Sequence, residues 1–282
     1  MKWPQKILMA GLMLGVSIMP AHADQKTIKL GTMGWEDLLP ITGVVEKVLE
    51  DKGYKVEVTQ FSDWGIAYEA LSRGDVQVMV SQTDYAAQDY WNRFDSRLER
   101  LSVASYGLYQ DLAVPNYVDI DSIDQLNANA SKFGGQIVGI ESGSGLMREA
   151  AQAVTTYGLK LNLVDGSTAA MTAALNSAVS RKQPIVVTLW DPSWMYSKYD
   201  MKFLKDPKGV FAPPDEYNVI AVKGFSSQHP RATDLIAGVF LPISDIRAIN
   251  DEVNNGETMD QAINGWIGTH GDLLKRWENI GN

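Results

Sequence analysis

Two stretches of this chain repeat one pattern, and that pattern restricts the fold more than any other feature. Thr27–Leu30 reads as a short strand running into GTMGWEDLLP. A helix follows over 38–53, with Val44, Val45, Val48 and Leu49 at helical spacing and Gly53 placed to cap it. Tyr54–Phe61 alternates like a strand, Ser62 and Asp63 are candidate N-caps, Trp64–Arg73 is a helix stopped by Gly74, and Val76–Val80 is an apolar strand. Further on the order recurs: strand 136–140, the loop ESGSG, helix 146–157, strand 161–164, the opener Gly166-Ser167, helix 169–181 and strand 185–189. Strand–helix–strand units with short crossovers form parallel sheets, so the class is α/β, with two similar halves. Open parallel sheets place their ligand loops at the strands' carboxyl ends.

Between the halves the spacing predicts a helix over 84–93, a strand over 103–108, an extended crossing at 111–119 and a helix over 123–130. A return crossing at 205–217 carries Pro207, Pro213 and Pro214. The strand at 218–222 and helices over 231–240, 244–252 and 259–278 complete the chain. Two crossings without a low-complexity linker imply two lobes on a short hinge near Val114–Tyr117 and Ala212–Tyr217. Lobe 1 is then discontinuous, 24–112 with 218–282, and lobe 2 is 113–217.

The first 23 residues read as a cleavable signal peptide: Lys2 and Lys6, the apolar run 7–19, and Ala21-His22-Ala23 before the mature start at Asp24. There is no Cys, hence no disulfide and no thiol for a lipid anchor, which points to a free periplasmic protein stabilised by its core. The formal charge of −9, more negative still without Lys2 and Lys6, argues against nucleic acid and anionic membrane as partners.

The chemistry concentrates in IVVTLWDPSWMYSKY at 185–199, where Trp190 and Trp194 stand at the mouth of a strand. Rings at that position make sense as the wall of a pocket. Trp190 and Trp35 are the first candidates for such a wall, with Trp64 and Trp194 even between pocket and packing. Trp91, Trp266 and Trp277 read as packing. Asp37 suits either a countercharge to the ligand or a helix cap. Ser142, Gly143, Ser144 and Gly145 offer backbone N–H groups at a helix start, for an anion or simply for a turn. Enzyme chemistry finds little footing: His229 and His270 form no metal-spaced pair, and no G-x-S-x-G elbow is present. No cofactor is expected. Carboxylate pairs for hydrolysis stay open as an alternative, a secreted α/β hydrolase.

GWED at 34–37, LEDKGYKVE at 49–57, YEALSRGDVQV at 68–78, AVPNYV at 113–118, GIESGSGLM at 139–147, GSTAAMTAAL at 166–175, PIVVTLWDPSWMYSKYDMKFLKDP at 184–207 and AINGWIGTH at 262–270, in this order, carry a resemblance. The chain resembles the substrate-binding proteins of ABC importers for glycine betaine, choline and other quaternary ammonium compounds. The resemblance implies a two-lobed periplasmic binding fold of type II kind, a trimethylammonium head held among rings in the cleft, and an inner-membrane permease as partner to a monomeric binder. Ser193 stands where many relatives place His. The loop 81–85, SQTDY, lacks the Trp of the choline binders, so either Tyr85 or Trp64 makes up the wall or the box is built differently. The expected ligand is a zwitterion such as glycine betaine or carnitine. Choline, proline betaine, dimethylsulfoniopropionate and taurine- or amino-acid-like solutes are alternatives.

Overall fold

A computed structural model describes residues 27–279, so the signal-peptide reading of 1–23 lies outside the described residues. The elements run β1 (Thr27–Met33), α1 (Leu39–Asp51), β2 (Lys55–Phe61), α2 (Trp64–Arg73), β3 (Val78–Ser81), α3 (Gln88–Phe94), β4 (Leu98–Pro115), β5 (Gln136–Val138), α4 (Gly145–Tyr157), β6 (Asn162–Val164) and α5 (Thr168–Ser180). They continue with β7 (Val187–Asp191), α6 (Trp194–Lys198), β8 (Met201–Phe203), β9 (Asp215–Val222), α7 (Phe225–Gln228), α8 (Pro230–Gly238), α9 (Ile243–Asn254), α10 (Met259–Thr269) and α11 (Gly271–Glu278).

The strands are ordered β2-β1-β3-β9-β4-β7-β5-β6, with β8 on β4. β1 pairs parallel with both β2 and β3, and β5 pairs parallel with both β6 and β7. The two halves therefore share one local order, the first strand of each unit lying between the next two. Local signals set the helices between them. Asp63 caps α2 by accepting from the N–H groups of Gly65 and Ile66, and Gly74 ends it at φ +78°. Ser144 caps α4 through the Met147 N–H, and Ser167 caps α5 through that of Ala170. β1, β3 and β9 are buried in the core: Ile28, Val78, Val219 and Ile220 are at most 1% exposed, Val219 and Ile220 on opposite faces of the sheet.

β4 joins the halves. Its residues 98–108 pair antiparallel with β9, residues 109–113 with β7, and residues 113–115 with β8. Three register shifts lie between Arg100 and Leu108, and Gly107 sits at φ +117°, which a side chain opposes. A short strand was expected at 103–108, and the long run is a correction. Its continuity depends on partners about a hundred residues downstream, which no local pattern encodes.

Three further expectations are corrected. The helix expected over 84–93 begins only at Gln88, because Asp215 Oδ2 takes the N–H groups of Tyr85 (3.2 Å) and Ala86 (3.1 Å). Arg100 also donates to Thr83 Oγ1 at 2.6 Å and to Asp84 Oδ1 at 3.0 Å, so tertiary bonds hold this loop out of the helix. The stretch 123–133 forms 3-10 turns. The final helix breaks at His270, whose ring stacks on Trp266 with centroids 4.3 Å apart and whose Nδ1 lies 2.8 Å from the Trp266 carbonyl oxygen.

Candidate ligand-binding cleft

The loops after β1, β2, β3 and β5, together with β7, converge on one cavity between the halves. Trp35 and Asp37 follow β1, Trp64 opens α2 after β2, and Gln82 and Ala86 follow β3. From the other side come Ile140 and the 144–146 turn after β5, and Trp190 on β7, with Leu108 and Gln110 of β4 between. The free cavity among these side chains is tight, about 30 Å3. Trp35 and Trp64 meet edge to face with centroids 5.4 Å apart. Trp64 and Trp190 are almost wholly buried.

The cavity has a negative and a positive end. Asp37, 3% exposed, does not cap α1; its Oδ2 accepts from Gln82 Nε2 at 3.0 Å and Tyr217 OH at 3.1 Å. Its Oδ1, Gln82 Oε1 and Trp190 Nε1 are buried without a partner, a costly arrangement that suits a site shaped for a guest. Burial, and then the Glu36 charge beside it, lift the Asp37 carboxyl to about 7. Opposite, Ser144 Oγ is occupied with the Met147 N–H at 3.2 Å. The N–H groups of Gly145 and Leu146, in the first turn of α4, have no helical carbonyl to reach and carry the positive end of the helix dipole. Ring faces between a carboxylate and a helix N-terminus match a molecule with a soft cation at one end and an anion at the other.

Contacts across the cleft hold the halves together. Ser193 Oγ donates to Glu36 Oε1 at 2.7 Å, and Tyr90 OH donates to the Gly143 carbonyl at 3.2 Å. Arg148 of α4 pairs with Asp89 at 2.9 Å and donates to the Tyr85 carbonyl at 2.8 Å. Burial raises the Glu36 carboxyl against the opposing effect of the Ser193 bond.

The sequence candidates divide by position. Trp35, Asp37, Trp64, Ser144, Gly145 and Trp190 line the inner cavity together. Tyr85 does not; the residue is 39% exposed and its backbone serves the loop contacts above. Ser142 and Gly143 do not line it either, and a Cβ on Gly143 would meet Asp63 Oδ2 at 2.3 Å. Trp194 faces a second, outer cavity with Trp35, Glu36, Phe61 and Glu141, and Lys198 Nζ lies 4.9 Å from its ring centroid. Trp266 and Trp277 stack on each other, and Trp91 lies under Arg100. Gln82 and Gln110 were missed. Gln82 stood in the loop where a Trp was sought, and Gln110 carried no motif at all. Gln110 Nε2 donates to Glu149 Oε2 at 3.1 Å. Among the described residues no group of three or more His, Asp or Glu could hold a metal, and no helix is long and apolar enough to cross a membrane.

Three buried acids give a stability signature. Desolvation raises Asp37 and Glu149 to about 7 and Asp111 to about 8. The folded chain thus keeps protons that the unfolded chain has already released, and this stabilisation is lost as pH rises from about 4 through 7–8. The unliganded protein should melt at a higher temperature at pH 5.5 than at pH 8; calorimetric scans showing the reverse order would contradict this assignment.

The comparisons with known proteins agree with this geometry. The family model described as the substrate binding domain of ABC-type glycine betaine transport systems matches residues 26–269. The glycine betaine/carnitine transport binding protein GbuC of Listeria monocytogenes is 37% identical over 144 residues, 50% of this chain. That match spans 48%, about half, of the relative's own length. The glycine betaine-binding periplasmic protein OusX of Dickeya dadantii is 24% identical over 280 residues, 84% of each chain. Among solved structures, lactococcal OpuAC in its closed form with glycine betaine superimposes with a TM-score of 0.82 at 28% identity, covering 90% of this chain and 99% of that one. The fold is accordingly the two-lobed α/β architecture of periplasmic binding proteins, and the hydrolase alternative finds no support. The chain belongs to the family of substrate-binding domains of ABC-type glycine betaine transport systems, which serve transport and are not enzymes.

Proposed function

We propose that this protein binds a quaternary ammonium zwitterion, such as glycine betaine or carnitine, between its two lobes and delivers it as a monomer in the periplasm to an inner-membrane ABC permease. The observation that carries the reading is the convergence of Trp35, Trp64 and Trp190 on a cavity with a carboxylate at one end and the α4 N-terminus at the other. The ammonium head lies among the rings, and the ligand's carboxylate takes the N–H groups of Gly145 and Leu146. Closure brings Trp190 and α4 onto Trp35 and Trp64. Pairing along β4 passes from β9 to β7 between Leu108 and Tyr109, a few residues before the first expected crossing near Val114–Tyr117, and β9 begins at Asp215, within the second at Ala212–Tyr217. These two crossings are the hinge.

A second reading, choline or another cation lacking a carboxylate, is favoured by the unpartnered Oδ1 of Asp37. Titration calorimetry of the chain from Asp24 onward against glycine betaine, carnitine, proline betaine, choline and taurine tests both. Binding of a quaternary ammonium compound supports the site, and failure of all of them to bind sinks it. The pH dependence tests the part Asp37 plays in either reading. A bound cation favours ionised Asp37, whose carboxyl otherwise titrates at about 7, so binding releases a proton below that pH. Choline affinity is expected to fall about tenfold from pH 8 to pH 6, whereas a flat profile removes Asp37 as its countercharge.

A further inference from the structure

Helix α9 belongs to the C-terminal part of the chain, yet one of its faces reaches the segment that carries Trp190. Arg247, Asn250 and Asn254 fall at i, i+3 and i+7, a single stripe of the helix. Arg247 grips Asp191 with two bonds, Nε to Oδ1 at 2.8 Å and Nη2 to Oδ2 at 2.5 Å. Asn250, which is buried, donates through Nδ2 to the Pro192 carbonyl at 3.2 Å. One turn on, Lys198 Nζ donates to Asn254 Oδ1 at 3.0 Å. The stripe thus follows the chain from the end of β7 along α6. Trp190 is the residue immediately before the gripped Asp191. From its other side Trp190 is fixed by pairing with Gln110 of β4.

We propose that the Arg247–Asn250–Asn254 face of α9 is a positioning surface for the ligand cleft, setting the Trp190 ring against Trp35 and Trp64 when the lobes close. This rests on the ligand reading given above. The Arg fork fixes both oxygens of Asp191 and so fixes the direction of the turn, which a point charge does not. The side chains of Arg247 and Asp191 keep 43% and 22% of their exposure, so their pairing adds little to folding stability. Its contribution falls on the closed state. Opening draws α9 away from the turn and frees the ring, so the surface lengthens ligand residence rather than speeding capture.

Stopped-flow tryptophan fluorescence tests this, with glycine betaine and choline as probes and thermal melts of the unliganded proteins alongside. Arg247→Ala and Asp191→Asn should each raise koff about tenfold and leave kon within about twofold, with Tm lowered by no more than about 3 °C. Arg247→Lys should recover part of the loss, and the double variant should be no worse than either single one. Asn254→Ala, at the exposed end of the stripe, should raise koff about twofold. An unchanged koff in Arg247→Ala, with a wild type that binds, overturns the positioning role and leaves the ligand reading standing. A Tm loss large enough to account for the whole affinity change also overturns it, by reducing the contact to fold support. A wild type that binds neither probe overturns the ligand reading first.

Discussion

Trp190→Ala is expected to weaken binding of the preferred quaternary ammonium compound by about 2–3 kcal/mol, roughly 30- to 150-fold in Kd. The ring supplies a face to the cation and, being 4% exposed, lines the cavity beside Ile140 and Leu146. Water cannot replace either contribution for a cation that donates no hydrogen bond. Trp277→Ala is the matched control. That ring is equally buried but stacks on Trp266, centroids 6.1 Å apart, among the C-terminal helices. Its loss should lower stability by about 3–5 kcal/mol if the site does not collapse, with affinity within about twofold of wild type. Equal losses of affinity in the two variants, measured by calorimetry on folded protein, would remove Trp190 from the cleft.

The second large effect belongs to a residue with no side chain. A Cβ on Gly145 would lie 2.2 Å from the Ala86 carbonyl oxygen and 2.6 Å from the Ala86 Cα. The obstacle is backbone, in a loop held by Asp215 and Arg100, so it has little room to give. Ala86 stands on the first half of the sheet and Gly145 on the second. Gly145→Ala can therefore relieve its clash by separating the halves without unfolding either. The cost, about 1–3 kcal/mol, falls on the closed state. Affinity should drop roughly 5- to 150-fold through that cost while Tm of the unliganded chain changes little. Gly265→Ala, in open space on α10, should leave affinity untouched and stabilise the chain by about 0.5–1 kcal/mol. A Gly145→Ala variant that binds like wild type would show that the two loops do not meet in the liganded state.

What the sequence made legible was local. Caps such as Asp63 and Ser144, stops such as Gly74, and the spacing of Val44, Val45, Val48 and Leu49 depend on neighbours within a few residues, and the elements they bound are where the pattern placed them. The parallel pairing of each unit follows from the crossovers. What failed was set from afar. The turn at 83–87 is held by Asp215, about 130 residues away, and the length of β4 depends on β7 and β9.

The tryptophans carry the same lesson. Trp64 and Trp194 both open a helix directly after a capping residue, Asp63 and Ser193. One ring turns into the inner cavity and the other into the outer one, a difference decided by how α2 and α6 sit on their strands. By sequence Asp37 suits a cap and a countercharge equally, and it is Gln82 and Tyr217, partners from the loop after β3 and from β9, that hold it. Gln82 and Gln110 belong to no periodic pattern, and only assembly of the cleft gives them a role.

The central claim is that one small cation sits among three rings supplied by both halves. A crystal structure of the protein grown with glycine betaine tests it most directly. The predicted result is a trimethylammonium head enclosed by Trp35, Trp64 and Trp190, with the ligand carboxylate on the N–H groups of Gly145 and Leu146. Ligand found only in the outer cavity beside Trp194, or an empty inner cavity at saturating concentration, would contradict it.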